Sequence, residues 1–317
     1  MRNAFASEIT ALGLDDPRVV LLSGDIGNRL FDDFRAKAPS RFFNCGVAEA
    51  NMIGVASGLA MCGLRPVTYT ITPFTTTRCL EQIRVDVCYH DVPVIIVGTG
   101  SGLSYASLGP THHSCEDIAM LRSLPGMTVL CPADAWEVRS LLRAALKHNG
   151  PVYMRIGKKG EACVHREAPP LEIGKGYVLE SGSDVCLLST GNMLPVVVEA
   201  ANQLKKRGHS VQVVSFHTVK PLDVEMLGRV FASFPVVATI EEHSMIGGLG
   251  GAVAEWVVDQ PDVRAKLLRF GAHDTFLHES TEQDHAREHF GLTAENIVRQ
   301  CHDWVRMRAR RLRVPAA

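Results

Sequence analysis

No C-x-x-C pair occurs among the nine cysteines, which stand singly along the 317 residues. Metal-finger spacing is therefore excluded, and reduced cytosolic thiols are the expected state. Apolar runs are short, and none approaches the ~18 residues that a membrane span needs. The opening Met1-Arg2-Asn3-Ala4-Phe5 lacks the charged-then-apolar order of a secretory signal, so a soluble, cytoplasmic protein is expected. Charge excess is missing too. Thirty-three Lys and Arg against 34 Asp and Glu leave a formal charge of −1. No global field then favours nucleic acid or an anionic membrane surface. Repeats with a period of roughly 20–50 residues and low-complexity segments are likewise absent.

What is present is an ordinary globular composition, 46% hydrophobic and 21% charged, in a chain long enough for two α/β domains. Strand and helix signals alternate throughout. Arg18 to Ser23 reads as a buried strand, Ala48 to Cys62 as a helix stopped by Gly63, and Pro66 to Ile71 as a strand. Thr76 to His90 reads as a helix, and Pro93 to Gly98 as a strand buried on both faces. Helix Cys115 to Arg122, strand Met127 to Cys131, helix Ala135 to His148 and strand Val152 to Ile156 complete a first unit. The polar stretch Lys158 to Gly174 carries Pro169-Pro170 and marks a boundary, giving units 1–165 and 166–317. Strands at Asp184 to Ser189, Ser210 to Ser215 and Val236 to Ile240 alternate with helices at Leu194 to Arg207, Leu222 to Phe234 and Gly248 to Asp259. This order predicts two doubly wound α/β domains with parallel sheets and right-handed crossovers. The basic tail Arg306 to Arg313 reads as a solvated helix end, with a partner site as the other reading.

Chemistry concentrates in Asn44 to Gly54. Glu49 stands where a strand–turn gives way to a helix rich in small residues (Gly54, Ala56, Gly58, Ala60), which allow close packing on a sheet or a second subunit. A desolvated carboxyl there would stay protonated near neutrality. An acidic residue that merely complements the helix dipole fits the same pattern.

Gly46-Val47-Ala48-Glu49-Ala50-Asn51-Met52 resembles the G-[IV]-A-E-x-N-M segment of the pyrimidine-binding domain in transketolases and deoxyxylulose-phosphate synthases. Gly109-Pro110-Thr111-His112-His113 is similar to that family's G-P-T-H-Q loop. Arg122-Ser123-Leu124-Pro125-Gly126 and Cys131-Pro132-Ala133-Asp134 are similar to its R-S-L-P-N and R-P-A-D segments. The motifs keep the family order, and the likeness covers essentially the whole chain, more weakly after residue 165. The fold it implies is a pyrimidine-binding domain followed by a transketolase C-terminal domain.

The activity that the resemblance implies is transfer of a two-carbon ketol unit from a ketose, expected to be phosphorylated, to an aldose, with thiamine diphosphate and Mg²⁺ as cofactors. In that family the glutamate matching Glu49 hydrogen-bonds N1′ of the aminopyrimidine, making the neighbouring amine acidic, so that its imino form acts as base toward the thiazolium C2–H. An aromatic residue near Phe74 stacks on the pyrimidine, although transketolases usually show two phenylalanines where this chain has one; core packing is the other reading. His112 matches the histidine that faces substrate hydroxyls, as hydrogen-bond donor or proton shuttle. Arg155 matches an arginine that grips a substrate phosphate, though an arginine ending a strand also serves in ion pairs. Asp25, in Ser23-Gly24-Asp25-Ile26-Gly27, resembles an S-A-D-L segment near the cofactor, and an Asx turn is the alternative. Two departures bear on substrate: Leu108 replaces a common aspartate, and Gly100 stands where transketolases often place a phosphate-binding histidine.

No metal ligands are expected in this chain. The G-D-G…N segment whose Asp and Asn hold Mg²⁺ in full-length relatives is not found. The resemblance therefore implies a diphosphate-binding N-terminal partner subunit, in an α2β2 assembly. A deoxyxylulose-phosphate-synthase-like or 2-oxoacid-decarboxylating β subunit and a non-catalytic partner or regulatory module stand as rival readings. Gly247-Gly248-Leu249-Gly250-Gly251 lies far from the first strand of its unit and reads as a tightly packed helix start, not a nucleotide loop. With Glu241-Glu242-His243 before it, this run resembles a C-terminal-domain segment of the family.

Overall fold

The computed structural model describes residues 1–27, 29–158 and 160–313, with side chains through Arg308. Twelve strands are found among them: β1 (Val19–Ser23), β2 (Phe42–Asn44), β3 (Arg65–Ile71), β4 (Ile95–Thr99), β5 (Thr128–Leu130), β6 (Val152–Ile156), β7 (Tyr177–Glu180), β8 (Val185–Ser189), β9 (Val211–Ser215), β10 (Thr218–Lys220), β11 (Val236–Ser244) and β12 (Lys266–Ala272). They form a seven-stranded sheet, β10-β5-β6-β4-β3-β1-β2, and a five-stranded sheet, β12-β11-β8-β9-β7. Pairing is parallel except at two edges, where β10 meets β5 and β7 meets β9 antiparallel.

Every residue of β1, β4, β6 and β8 is buried, as strands covered on both faces must be. Alternate side chains face opposite layers. Val19, Leu21, Ile95 and Val97 pack with Phe5 and Ile9 of helix Arg2–Asp15 and with Val138 and Leu141 of helix Ala135–Lys147. Val20, Leu22, Val94 and Ile96 face Met52, Ile53 and Ala56 of helix Glu49–Met61, in a core that continues into the second unit through Leu188, Phe216 and Leu249. Helix Ala135–Lys147 starts where Asp134 accepts the amides of Trp136 and Glu137 at 2.9 and 3.0 Å, a side-chain N-cap.

The alternating order of the sequence is realised, with further elements that the sequence reading did not place, among them helices Arg2–Asp15 and Ala294–Arg313 and strand β12, and with three other differences. The helix expected over 76–90 is interrupted: a turn spans 76–79, Leu80–Gln82 is a short α-helix, and Ile83–Tyr89 is π-helical. The Ser57 hydroxyl donates to the Asp86 carbonyl at 2.5 Å, fixing this wider coil against helix Glu49–Met61. Strand β10, from well past residue 165, completes the edge of the first sheet. Gly58 is exposed and a Cβ there would meet nothing, so the close packing expected of it is not made within this chain. The basic tail is helical to Arg313, and its side chains after Arg308 lie outside the described residues. All nine cysteines are free thiols. No helix among the described residues is long and apolar enough to cross a membrane.

Candidate active site

Strands β1, β3 and β4 are parallel neighbours, so the loops after Ser23, Ile71 and Thr99 open on one rim. Ligand clefts of open parallel sheets form at such carboxyl ends. Glu49 opens its helix here and is 2% exposed. Gly24 leaves room for it: a Cβ there would lie 2.9 Å from Thr70 Oγ1 and 3.5 Å from Glu49 Cγ. Arg78 Nη1 donates to Glu49 Oε2 at 2.6 Å. The same guanidinium carbon lies 4.5 Å from the centroid of the Phe74 ring.

Phe74 belongs to the short helix Thr72–Thr75, which follows β3 directly. Its ring meets His112 edge-on, with centroids 5.2 Å apart. Glu49, Arg78, Phe74 and His112 thus form one continuous chain of contacts drawn from three loops. Burial pushes the His112 imidazole below its ordinary value, favouring the neutral ring. Thr111 Oγ1 lies 2.9 Å from His112 Nδ1, which helps to orient that ring. Beside Glu49, burial and then the carboxylate charge push the Cys79 thiol up to about 12, keeping it inert.

Asp25 stands apart from this chain of contacts. It is exposed, has a left-handed backbone (φ 56°), and accepts from Asn44 Nδ2 at 2.9 Å. The Asx turn belongs to Asn44 instead, whose Oδ1 accepts the Gly46 amide at 2.9 Å.

Arg155 is not where a substrate-gripping side chain would sit. It is 1% exposed, Nε donates to Asp117 Oδ2 at 2.7 Å, and Nη2 donates to the carbonyls of Ser114 and Glu242 at 3.0 and 2.8 Å. Tyr153 also donates to Asp117 Oδ2, at 2.5 Å. Burial opposes the charge on Asp117, but Arg155 and His243 outweigh it and hold the carboxyl below the usual range. The geometry is that of an internal strut joining the two units, the ion-pair alternative for a strand-ending arginine.

Gly100 has φ +74°, and a Cβ there would fall 1.8 Å from Tyr105 Cε2. The Tyr105 ring therefore fills the space beside residue 100, with His112 6.3 Å away edge-on and Lys158 Nζ 5.8 Å from its centroid. Leu108 is 52% exposed on the same loop. Arg78 and Tyr105 are site-lining residues that sequence reasoning passed over. Arg78 lies four residues beyond Phe74 and Tyr105 three before Leu108, but neither has a local pattern that signals its contacts.

The glycine run in the second unit leads into helix Leu249–Val258. Glu241 accepts the Leu249 and Gly250 amides at 2.7 and 2.8 Å, so a carboxylate already satisfies this helix start. Glu242 accepts the Leu103 amide at 2.8 Å and pairs with Arg287, tying the loop after β4 to the second unit. Among the described residues, no group of three or more His, Cys, Asp or Glu could hold a metal ion.

Comparison with known proteins agrees with this architecture. Residues 1–160 match the family described as Transketolase, pyrimidine binding domain, and residues 174–297 match Transketolase, C-terminal domain. A 6-deoxy-6-sulfo-D-fructose transketolase subunit of Clostridium sp. (strain MSTE9) is 37% identical over 96% of this chain and 94% of its own. An apulose-4-phosphate transketolase subunit of Phocaeicola vulgatus is 31% identical over 96% of this chain and 97% of its own. A solved structure described as split gene transketolase, inactive beta4 tetramer, superposes with a TM-score of 0.86 at 35% identity, covering 96% of this chain and 97% of that one.

Proposed function

Because the chain belongs to the transketolase family, as a thiamine-diphosphate-dependent subunit of the split type, we propose that it carries the pyrimidine half of an active site for ketol transfer. The observation that carries this reading is the buried Glu49 carboxyl linked through Arg78 to the Phe74 ring, which His112 meets edge-on at the sheet rim. A carboxyl, a flat apolar face and an imidazole are a donor set that fits an aminopyrimidine. Thiamine diphosphate, when bound, supplies the carbon nucleophile on which the bond beside a ketose carbonyl is cleaved. Glu49 holds a proton at the ring nitrogen N1′, and its 2% exposure keeps water from competing for that contact. Phe74 presents its face to the ring. His112, neutral through burial, hydrogen-bonds a substrate hydroxyl or moves a proton to it.

The donor is a ketose with a terminal anionic group, a class supported by relatives named for sulfofructose and apulose 4-phosphate. The proposed assembly is α2β2 and cytoplasmic, with a partner subunit holding the diphosphate and Mg²⁺, and Asp25 on the rim beside the cofactor. Arg155 is assigned to joining the units, and the domain boundary to residues 165/166. Reconstitution with a diphosphate-binding partner tests the reading. Transfer of a glycolaldehyde unit from a ketose phosphate or sulfonate to an aldose is expected. Carbon dioxide release from pyruvate, without ketol transfer, would replace this reading by that of a decarboxylating subunit.

A further inference from the structure

Arg78 touches both surfaces that an aminopyrimidine would use. Its Nη1 holds Glu49 Oε2 at 2.6 Å, and its guanidinium carbon lies over the Phe74 ring, 4.5 Å from the centroid. Yet Arg78 itself is 46% exposed while Glu49 is 2% exposed. The partner with access to solvent is therefore the arginine, and the enclosed one is the carboxylate. An arginine side chain has several rotatable bonds and keeps its charge in water when it swings away, so leaving costs it little desolvation. A buried carboxylate cannot leave with it and needs another hydrogen-bonding partner in its place.

We infer that Arg78 is a gate on the pyrimidine subsite: it caps Glu49 and Phe74 until the cofactor ring displaces it. This rests on the role proposed for Glu49 and adds the exchange of partners at that carboxylate. In the capped form Glu49 Oε2 and the Phe74 face are occupied, so only the fraction of molecules with Arg78 swung out is competent to bind. Apparent affinity falls by that fraction. The capping contact also gives the carboxylate a partner while no cofactor is present, which removes the penalty of a lone buried charge.

Two effects of removing Arg78 oppose one another, and this makes the sign diagnostic. Loss of a cation near an anionic cofactor weakens binding, whereas loss of the cap strengthens it. The test is titration of the reconstituted two-subunit enzyme with thiamine diphosphate at saturating Mg²⁺, read by calorimetry and independently of turnover. Arg78→Met should bind about tenfold more tightly than wild type, the range expected for releasing one charge-assisted contact that is half in solvent. Arg78→Lys, which keeps the charge but cannot cover the ring as a plane, should fall between the two. In a Glu49→Gln background, where the cap has lost its anionic partner, Arg78→Met should tighten binding by less than about twofold.

Unchanged or weaker binding by Arg78→Met, in protein whose thermal unfolding shows it folded, would overturn the gate. Equal tightening in the Glu49→Gln background would overturn it as well. If Arg78→Met does not fold, Arg78→Lys decides alone: tighter binding supports the gate, and unchanged or weaker binding overturns it. Wild-type assembly that binds no thiamine diphosphate at all would remove the proposed function together with the gate, whereas cofactor binding with insensitive Arg78 variants removes the gate only.

Discussion

Replacing Arg155 by Met separates a strut from a substrate reader. The substitution keeps the apolar stem and removes a guanidinium that pairs with Asp117 and donates to the Ser114 and Glu242 carbonyls. Asp117, which is 0% exposed, is then left charged with only the Tyr153 hydroxyl and the nearby His243 ring for company. Removing one partner of such a buried pair destabilises by about 3–5 kcal/mol. The entropy of unfolding, about 2.1 cal/mol/K per residue, amounts to roughly 0.7 kcal/mol/K for this length, so the melting temperature should fall by about 4–8 °C. Differential scanning calorimetry of the single chain reads this directly. Asp117→Asn should lose a similar amount, and the double variant should be more stable than the sum predicts by more than about 1 kcal/mol. An unchanged melting temperature with a raised KM for the ketose would refute the strut and restore Arg155 to the substrate.

Two further perturbations have signs set by the structure. Burial opposes the charge on Asp134, but His165 and the amides of His165 and Glu137 hold its carboxyl at about 2, below the ordinary 3.8. Its stabilisation is therefore full above pH ~4 and is lost as the pH falls through 2, a contribution of about 2 kcal/mol that Asp134→Asn should abolish in acid titrations followed by circular dichroism. The partner His165 is raised despite burial, chiefly by Asp134. Its share of the stability is present below pH 6.5 and fades above its raised pKa, and the same variant should remove that slope too. Gly100→Ala combines a left-handed φ with a Cβ 1.8 Å from the Tyr105 ring. It should cost about 2–4 kcal/mol in urea unfolding, and adding Tyr105→Ala should recover the overlap but not the backbone strain.

Some of this molecule is readable from its residues, and the limits have physical causes. Val152–Ile156 is buried on both faces and lies where the sequence places a strand. Helix Glu49–Met61 falls within one residue of its expected ends because Gly63, with φ +86°, stops it. Strand β10 is three residues, Thr218–Lys220, too short to show any alternation, and it exists only because β5 offers a free edge. The break at 76–79 escapes periodicity because Thr and Cys tolerate helix and turn alike. Phe74 and His112 lie far apart in sequence, and only the crossover that places β3 beside β4 brings their loops to one rim. Arg155 and Arg78 show the same limit from opposite sides. One arginine at a strand end is wholly internal and the other, just past a short turn, covers Glu49, because burial depends on what the second unit and the neighbouring loops lay over each.

The claim that most needs testing is that Glu49 acts on the cofactor ring and is more than a helix-terminal carboxylate. In the reconstituted assembly, Glu49→Gln should bind thiamine diphosphate within about tenfold of wild type, because the amide keeps size and hydrogen bonding. Ketol transfer by that variant should fall by about 10²- to 10⁴-fold, the range for removing a positioned acid–base group. Turnover within a few-fold of wild type, with cofactor bound, would contradict the account.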